Sequence, residues 1–389
     1  MRRIVVNGRF LAQPRTGVQR YGVETLRALD ALLTRHPALL HGITWQLAVP
    51  HDAHDIPLID NFEIQTPQFL TGHLWEQVAL AAFARGAYLI NASYSAPLFK
   101  RSQLVTVHDA SVRALPQIYS RSYRLVNNAM TSMLAPRVHT LMTVSQFSAR
   151  ELKQRFHLRR DDLVVGHGGW EHASATSGVE DEAAVLRRHG LKPGGYLLAV
   201  SSPQQNKNFG LIGRALALLG NEAMPPVAVA GAADARIYQN GAELPGALHW
   251  LGFVPDEELN VLYRHAAWFI FPSLYEGFGL PPLEAMANGC PVLAAQAASI
   301  PEVCGDAALY FDPLDPASLA ARLRAVTQGP DTAALRATLK QRASARLARY
   351  TWESNARGLL EHLMRCGIVV PRTHVDLAAP GLGASTSFA

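Results

Sequence analysis

Residues 267–289 read AWFIFPSLYEGFGLPPLEAMANG, and the fold of the whole chain follows from how this stretch is divided. AWFIFPS is an unbroken apolar run of strand length, the composition of a strand covered on both faces of a parallel sheet. Glycines at 277 and 279 then break any periodicity, so 274–279 is a loop. Pro281 and Pro282 suit a first helical turn, where a missing amide hydrogen costs nothing, and Gly289 ends a helix of about two turns. Strand, loop and helix N-terminus in that order form the repeating unit of sheets with helices on both faces.

The unit recurs in both directions along the chain. Upstream come RRIVVNG, ITWQLAVP, AYLINAS, QLVTVHD, LMTVS and DLVVGHGG; a second series runs GYLLAVSS, PPVAVAG, ALHWLG, AWFIFPS, CPVLAA and AALYFDP. Between the series lies EHASATSGVEDEAAVLRRHGLKPGG, rich in small residues, with one short helix and a Gly/Pro end. A domain boundary belongs there. The predicted division is a first domain over 1–172, a linker over 173–190, a second domain over 191–365 and a flexible tail over 366–389. The fold class is α/β, with two doubly wound Rossmann-like domains facing a central cleft where strand ends bind ligands.

Bulk properties narrow the function. The chain has 389 residues, 49% hydrophobic and 17% charged, as expected of a globular protein with large covered sheets. Three cysteines, at 290, 304 and 366, form no CxxC pair, which points to a reducing cytosol and away from a zinc site. MRRIVVNGRF has too short an apolar core for a signal peptide and reads as a first strand. LWEQVALAAFARGAYLI, the nearest approach to a membrane span, is interrupted by Glu76 and Arg85. The formal charge of +5 is unevenly spread: residues 100–160 carry eleven Lys/Arg against Asp109 and Glu151. Such a block attracts phosphorylated ligands or an anionic membrane surface, or is simply a solvated helical face; no nucleic-acid motif accompanies it.

The chemistry lies at the loops. In YEGFGLPPLEAMANG, Glu276 and Glu284 stand eight positions apart around a helix start. Free amides and the helix dipole there face an anion, and Gly277 and Gly279 let a ligand approach the backbone. A carboxylate accepts several hydrogen bonds and suits a vicinal diol, although a glutamate near a helix start is favoured by the dipole whatever its function. Lys207, in SSPQQNKNFGLIGRALALL, is a point charge suited to a diphosphate at the helix opening at Asn208. RTGVQRYGVETLRAL places Gly17 at another helix start, and LVTVHD ends a strand at His108 and Asp109. HDAHD at 51–55 could chelate a metal but reads better as a polar turn.

Taken together these strings closely resemble the retaining family 4 glycosyltransferases of the GT-B fold. The likeness extends through CPVLAAQAASIPEVCGDAALYFDPLDPASLA, TVSQFSARELKQRF, VVGHGGWEH and YTWESNARGLLEHL, nearly to residue 365. It implies that Glu284 holds the nucleotide ribose, that Glu276 approaches the transferred sugar, and that Gly277, Phe278, Gly279 and Leu280 line the donor site with Lys207 and Asn208. It also implies that Gly17 lies over the donor phosphates, that Arg15, Arg20 and Asp109 lie on the acceptor side, and that His108 orients the sugar. The family often has Arg-Lys-Asn where this sequence has Asn206-Lys207-Asn208, so phosphate neutralisation falls more on Lys207 and the helix ends.

The resemblance implies a hexosyltransferase acting without a cofactor or metal, with no Asp-x-Asp pair in a plausible place to hold one. No enzyme nucleophile is evident, so same-face attack assisted by the leaving phosphate is the expected mechanism. GVQRY-type enzymes resemble mannosyltransferases of surface polysaccharide or lipopolysaccharide assembly, which implies GDP-mannose as donor and a saccharide or lipid-linked saccharide as acceptor. The expected location is the cytoplasm, with peripheral contact at the inner membrane face through 100–160. In IYSRSYRLVNNAMTSMLAPR, Tyr119, Tyr123, Val126, Met130, Met133 and Leu134 recur at helical spacing, as a core-facing stripe or one lying on an anionic bilayer. The alternatives are a nucleotide-sugar epimerase of the same fold, which would turn over donor alone, and a non-catalytic binder, which would release no nucleotide diphosphate.

Overall fold

Alternation of apolar runs with helices yields two parallel sheets in the computed structural model, which describes residues 2–67, 69–174, 181–200, 204–220, 222–231, 248–371 and 375–377. The first sheet contains β1 (Arg2–Asn7), β2 (Ile43–Ala48), β3 (Glu63–Gln65), β4 (Tyr88–Asn91), β5 (Gln103–Thr106), β6 (Thr140–Thr143) and β7 (Val164–Val165). Their order is β3-β2-β1-β4-β5-β6-β7, every neighbouring pair parallel. The second contains β8 (Leu197–Val200), β9 (Val227–Ala230), β10 (Leu248–Gly252), β11 (Trp268–Phe271), β12 (Val292–Ala295) and β13 (Ala308–Phe311). Its order is β10-β9-β8-β11-β12-β13, again all parallel.

In both sheets the chain leaves the central strand in one direction and returns on its other side. The switch points are β1/β4 and β8/β11, where connections diverge and leave a crevice beyond the strands' carboxyl ends. All of β4, β5, β6, β9, β11 and β12 is buried, which is why those strands are continuously apolar or carry side chains with internal partners. The strand the sequence reading omits is β3, three exposed residues at a sheet edge whose one apolar side chain, Ile64, is too little to mark a strand.

The chain divides into one compact unit of residues up to Gly168 plus those from Thr351 onward, and a second unit from Gly169 to Tyr350. This departs from the expected boundaries at 172, 190 and 365. The closing helix Trp352–Arg365 belongs with the first sheet rather than the second. Its Asn355 Nδ2 donates to Thr25 Oγ1 at 2.9 Å, while Asn355 Oδ1 accepts from the Tyr21 hydroxyl at 3.3 Å. Trp352 meets the Tyr21 ring edge-on at 5.7 Å, and Leu359, Leu360 and Leu363 are buried. An amphipathic helix announces that it packs, not against which sheet. The expected linker likewise contains the helix Glu182–Arg188, tied into the second unit by Arg264 and His265 on Glu182 at 2.6 and 2.7 Å; 175–180 lie outside the described residues.

The expected tail starts out packed. Arg2 Nη1 donates to Gly367 O at 2.6 Å and Val369 is buried, because two apolar residues and the carbonyls left over at the helix end find partners on the first unit. Residues 372–374 and 378–389 lie outside the described part.

Candidate functional site

The loops after β8 and β11 meet at the switch point of the second sheet and are stitched together by side chains. Leu274 N donates to Asn206 O at 2.8 Å, and Asn206 Nδ2 to Tyr275 O at 3.0 Å. Asn208 sits in the left-handed region at φ 54°, tolerable for asparagine, and opens the helix Phe209–Leu219. Its Nδ2 donates to Pro272 O at 3.2 Å and Pro313 O at 2.9 Å, so the side chain is committed to joining three loops. From behind, the single O–H of the fully buried Ser299 is shared between Glu276 O at 2.9 Å and Phe278 O at 2.7 Å.

This scaffold presents Lys207 Nζ to Glu276 Oε1 at 2.7 Å, with both side chains largely buried. The lysine expected as a point charge for a diphosphate is thus held in one direction by a carboxylate. Gly279, at φ 106°, permits the reversal into the helix Leu280–Ala287, whose second and third residues are the expected prolines. The Phe278 ring packs edge-on against Tyr350 at 5.5 Å.

Glu284, expected near the helix start, is the fifth residue of that helix and so lies beyond its first turn. Its Oε1 is 3.0 Å from His172 Nε2, and its Oε2 accepts from the Tyr263 hydroxyl at 3.3 Å. Asn288 Nδ2 donates to both Ala173 O and Glu284 O, clamping the turn Glu171–Ala173 to the helix. His172 is a site residue the sequence reading passed over. Its signal was slight, a lone histidine at the last position of the expected first domain.

In the first unit, His108 follows β5 and its Nε2 donates to Ala92 O at 3.0 Å, since a carbonyl can only accept. That bond makes Nδ1 the acceptor of the neutral ring. Burial pushes the His108 pKa below its ordinary 6.5, against the bond to Ala92 and the charge of Asp109. Tyr21 meets the imidazole edge-on at 4.9 Å. Asp109 Oδ1 accepts from Ser111 N, the first amide of the short helix Ser111–Ala114, at 2.7 Å. Gly17 is the first residue of the helix Gly17–Arg35, after Thr16 in a capping box with Gln19. Arg15 is exposed and 3.9 Å from Asp55, a weak surface pair, while Arg20 is half-buried in the first turn. Asp55 belongs to the HDAHD stretch, which is a turn followed by irregular chain.

Several cations of the block 100–160 serve the fold instead of a ligand. Lys100 donates to Ala84 O and Ala87 O, Arg160 to Ala135 O and Val138 O, and Arg113 to Asn128 and Arg155 O. Cys290 and Cys304 are core groups whose thiols burial pushes up to about 12, which leaves them inert at neutral pH.

Residues 187–346 match the family model of glycosyl transferases group 1. The O-antigen chain mannosyltransferase B of Escherichia coli is 30% identical over 259 residues, covering 64% of this chain and 67% of that one. The chain belongs to the glycosyl transferases group 1 family. It is a glycosyltransferase whose two parallel-sheet domains are of the GT-B kind. The serotype-specific mannosyltransferase WbdA of Escherichia coli is 28% identical over 240 residues, 59% of this chain but 29% of that protein's length. Among solved structures, HepE of Anabaena in complex with UDP and glucose superposes with a TM-score of 0.65 at 18% identity, covering 94% of this chain and all of that one. That likeness shows the fold alone. Among the described residues no helix is long and apolar enough to cross a membrane.

Proposed function

We propose that this glycosyltransferase is retaining and metal-independent, and that it moves a hexose, mannose first, from a nucleotide diphosphate sugar to a saccharide or lipid-linked saccharide acceptor in polysaccharide or lipopolysaccharide assembly. The observation that carries the proposal is the Lys207–Glu276 pair on stitched loops at the second sheet's switch point. The mannosyltransferase names of the relatives support the sugar, and HepE supports a nucleotide diphosphate donor.

Glu276 Oε1 holds Lys207 Nζ at 2.7 Å. A donor's diphosphate replaces the carboxylate as the ammonium's partner, and Glu276 turns its oxygens to the hydroxyls of the sugar being transferred. Glu284, fixed by His172 and Tyr263, receives the ribose hydroxyls. As the bond from the anomeric carbon to the leaving phosphate oxygen breaks, the acceptor oxygen bonds that carbon on the same face and its proton passes to the phosphate. Negative charge grows on the diphosphate, where Lys207 and the amides at the helix mouths are already oriented; such preorganisation is the strongest means of lowering this barrier. Neutral His108 has an acceptor nitrogen for a sugar hydroxyl.

Calorimetric titration with nucleotide sugars, beside a turnover assay, tests the assignment. Glu284→Ala is expected to weaken nucleotide binding. Glu276→Ala is expected to lower kcat by roughly 10²-fold while changing donor affinity less, as for loss of one transition-state contact. Wild-type behaviour in both variants would refute the proposal.

A further inference from the structure

The transfer scheme leaves unused a pair of full opposite charges buried at the first sheet's switch point. Glu76 is 0% exposed and Arg9 9% exposed. Arg9 lies in the 3-10 turn Gly8–Ala12 directly after β1, and Glu76 in the π-helical turn Trp75–Leu80. Glu76 Oε2 accepts from Arg9 Nη1 at 3.3 Å, with His73 Nδ1 at 3.6 Å. Glu76 Oε1 accepts from Asn7 Nδ2 and Ser95 Oγ, both at 2.9 Å. Arg9 Nη1 also donates to Ser95 Oγ at 2.7 Å, and Asn7 Nδ2 to Asn91 Oδ1 at 2.9 Å. Asn7 and Asn91 are the last residues of β1 and β4, the two strands that flank the divergence.

The network is lopsided. Both oxygens of Glu76 are engaged, whereas Arg9 Nε and Nη2 have no hydrogen-bond partner among the described residues. Taking a carboxylate and a guanidinium out of water costs several kcal/mol per ion, and apolar residues of similar volume commonly fill such a place with no loss of stability. What an apolar pair cannot supply is a planar donor fork fixed in direction. The surroundings point to a ligand as well: sheets of this kind bind beyond the carboxyl ends of strands at the switch point, and π-helical turns recur at functional sites. Since Glu76 offsets the charge of Arg9, the pair suits a neutral, hydroxyl-bearing ring better than a phosphate.

We propose that Arg9, oriented by Glu76, is a recognition residue for a hydroxyl of the saccharide acceptor, with Glu76 a positioning residue. The assignment rests on the glycosyl-transfer function proposed above. The test uses the full chain and methyl α-D-mannopyranoside as probe, followed by ligand-observed NMR, with GDP and UDP titrated separately. The double variant Arg9→Gln/Glu76→Gln removes both charges, so no lone buried ion remains to unfold the protein. It is expected to keep wild-type nucleotide affinity and to bind the mannoside at least about tenfold more weakly, the loss typical of a hydrogen bond to a charged group. Should it fail to fold, Arg9→Lys keeps the ion pair but not the planar fork, and is expected to weaken mannoside binding in the same direction. Unchanged mannoside affinity in a folded variant, or no mannoside binding by the wild type, overturns the assignment. If the wild type binds neither nucleotide, the transferase proposal itself has failed; if it binds nucleotide but the variants bind mannoside normally, only the role of Arg9 has.

Discussion

Gly17 separates what the fold requires from what a ligand requires. A Cβ built there meets nothing within 4 Å, and the residue is not among those with positive φ. Gly22, one turn further along the same helix, is the opposite: its Cβ would lie 2.9 Å from the Phe10 ring. Gly17→Ala should therefore leave stability unchanged or raise it by about 0.4–1 kcal/mol, by restricting the unfolded chain. If the helix start lies over the donor diphosphate, the added methyl should still raise the KM for donor or lower turnover several-fold; thermal melts and steady-state kinetics on one preparation decide. Undiminished kinetics would remove Gly17 from the donor site. At this scale the sequence singled out Glu276 and Glu284 by the loop glycines and helix-start prolines around them, and Lys207 by the helix that opens at Asn208. It hid Glu76, since an acid within an apolar run reads as an interruption until its partner Arg9, 67 positions away, is brought beside it.

Among elements, the helix Arg121–Leu134 shows how far periodicity reaches. Its expected stripe divides: Met130 and Leu134 are buried, whereas Tyr123 and Val126 are exposed, and Leu125, outside the stripe, is exposed by 73%. Tyr119 stacks on Tyr123 at 5.3 Å, extending the exposed apolar end beside Arg121. A spacing of three and four fixes which residues share a face, not where the neighbouring element stops covering it. An exposed aromatic and aliphatic end flanked by arginine suits an anionic bilayer. Cosedimentation with phosphatidylglycerol-containing vesicles should capture the protein at low salt, and Leu125→Asp should release most of it without altering the thermal midpoint. Equal recovery of variant and wild type would exclude this helix as the contact. The strand-helix alternation itself was legible because buried parallel strands are apolar throughout; β3 was not, being short, exposed and at an edge.

Over the molecule as a whole, both ends of the chain contribute to the first unit, a partition that depends on long-range pairs such as Tyr21–Asn355 and so leaves no local trace. Another such pair sets a pH dependence. His362, on the closing helix, bonds Thr140 Oγ1 at 2.9 Å; burial first, then Arg365 and His139, hold its pKa below 6.5. His108 is depressed by burial in the same direction. The unfolded chain therefore takes up protons before the folded one as pH falls below 6.5. Stability contributed by these neutral rings is complete above that value and is lost as pH falls through the depressed folded values. Thermal midpoints should decline from about pH 6.5 downward, and His362→Gln should flatten the decline; a midpoint rising over that interval would contradict the sign. The most direct test of the account is a crystal structure with GDP-mannose bound. The diphosphate should lie on Lys207 Nζ, with Glu276 released towards the hexose and Glu284 on the ribose hydroxyls. A nucleotide bound elsewhere, with Lys207 and Glu276 still paired, would contradict it.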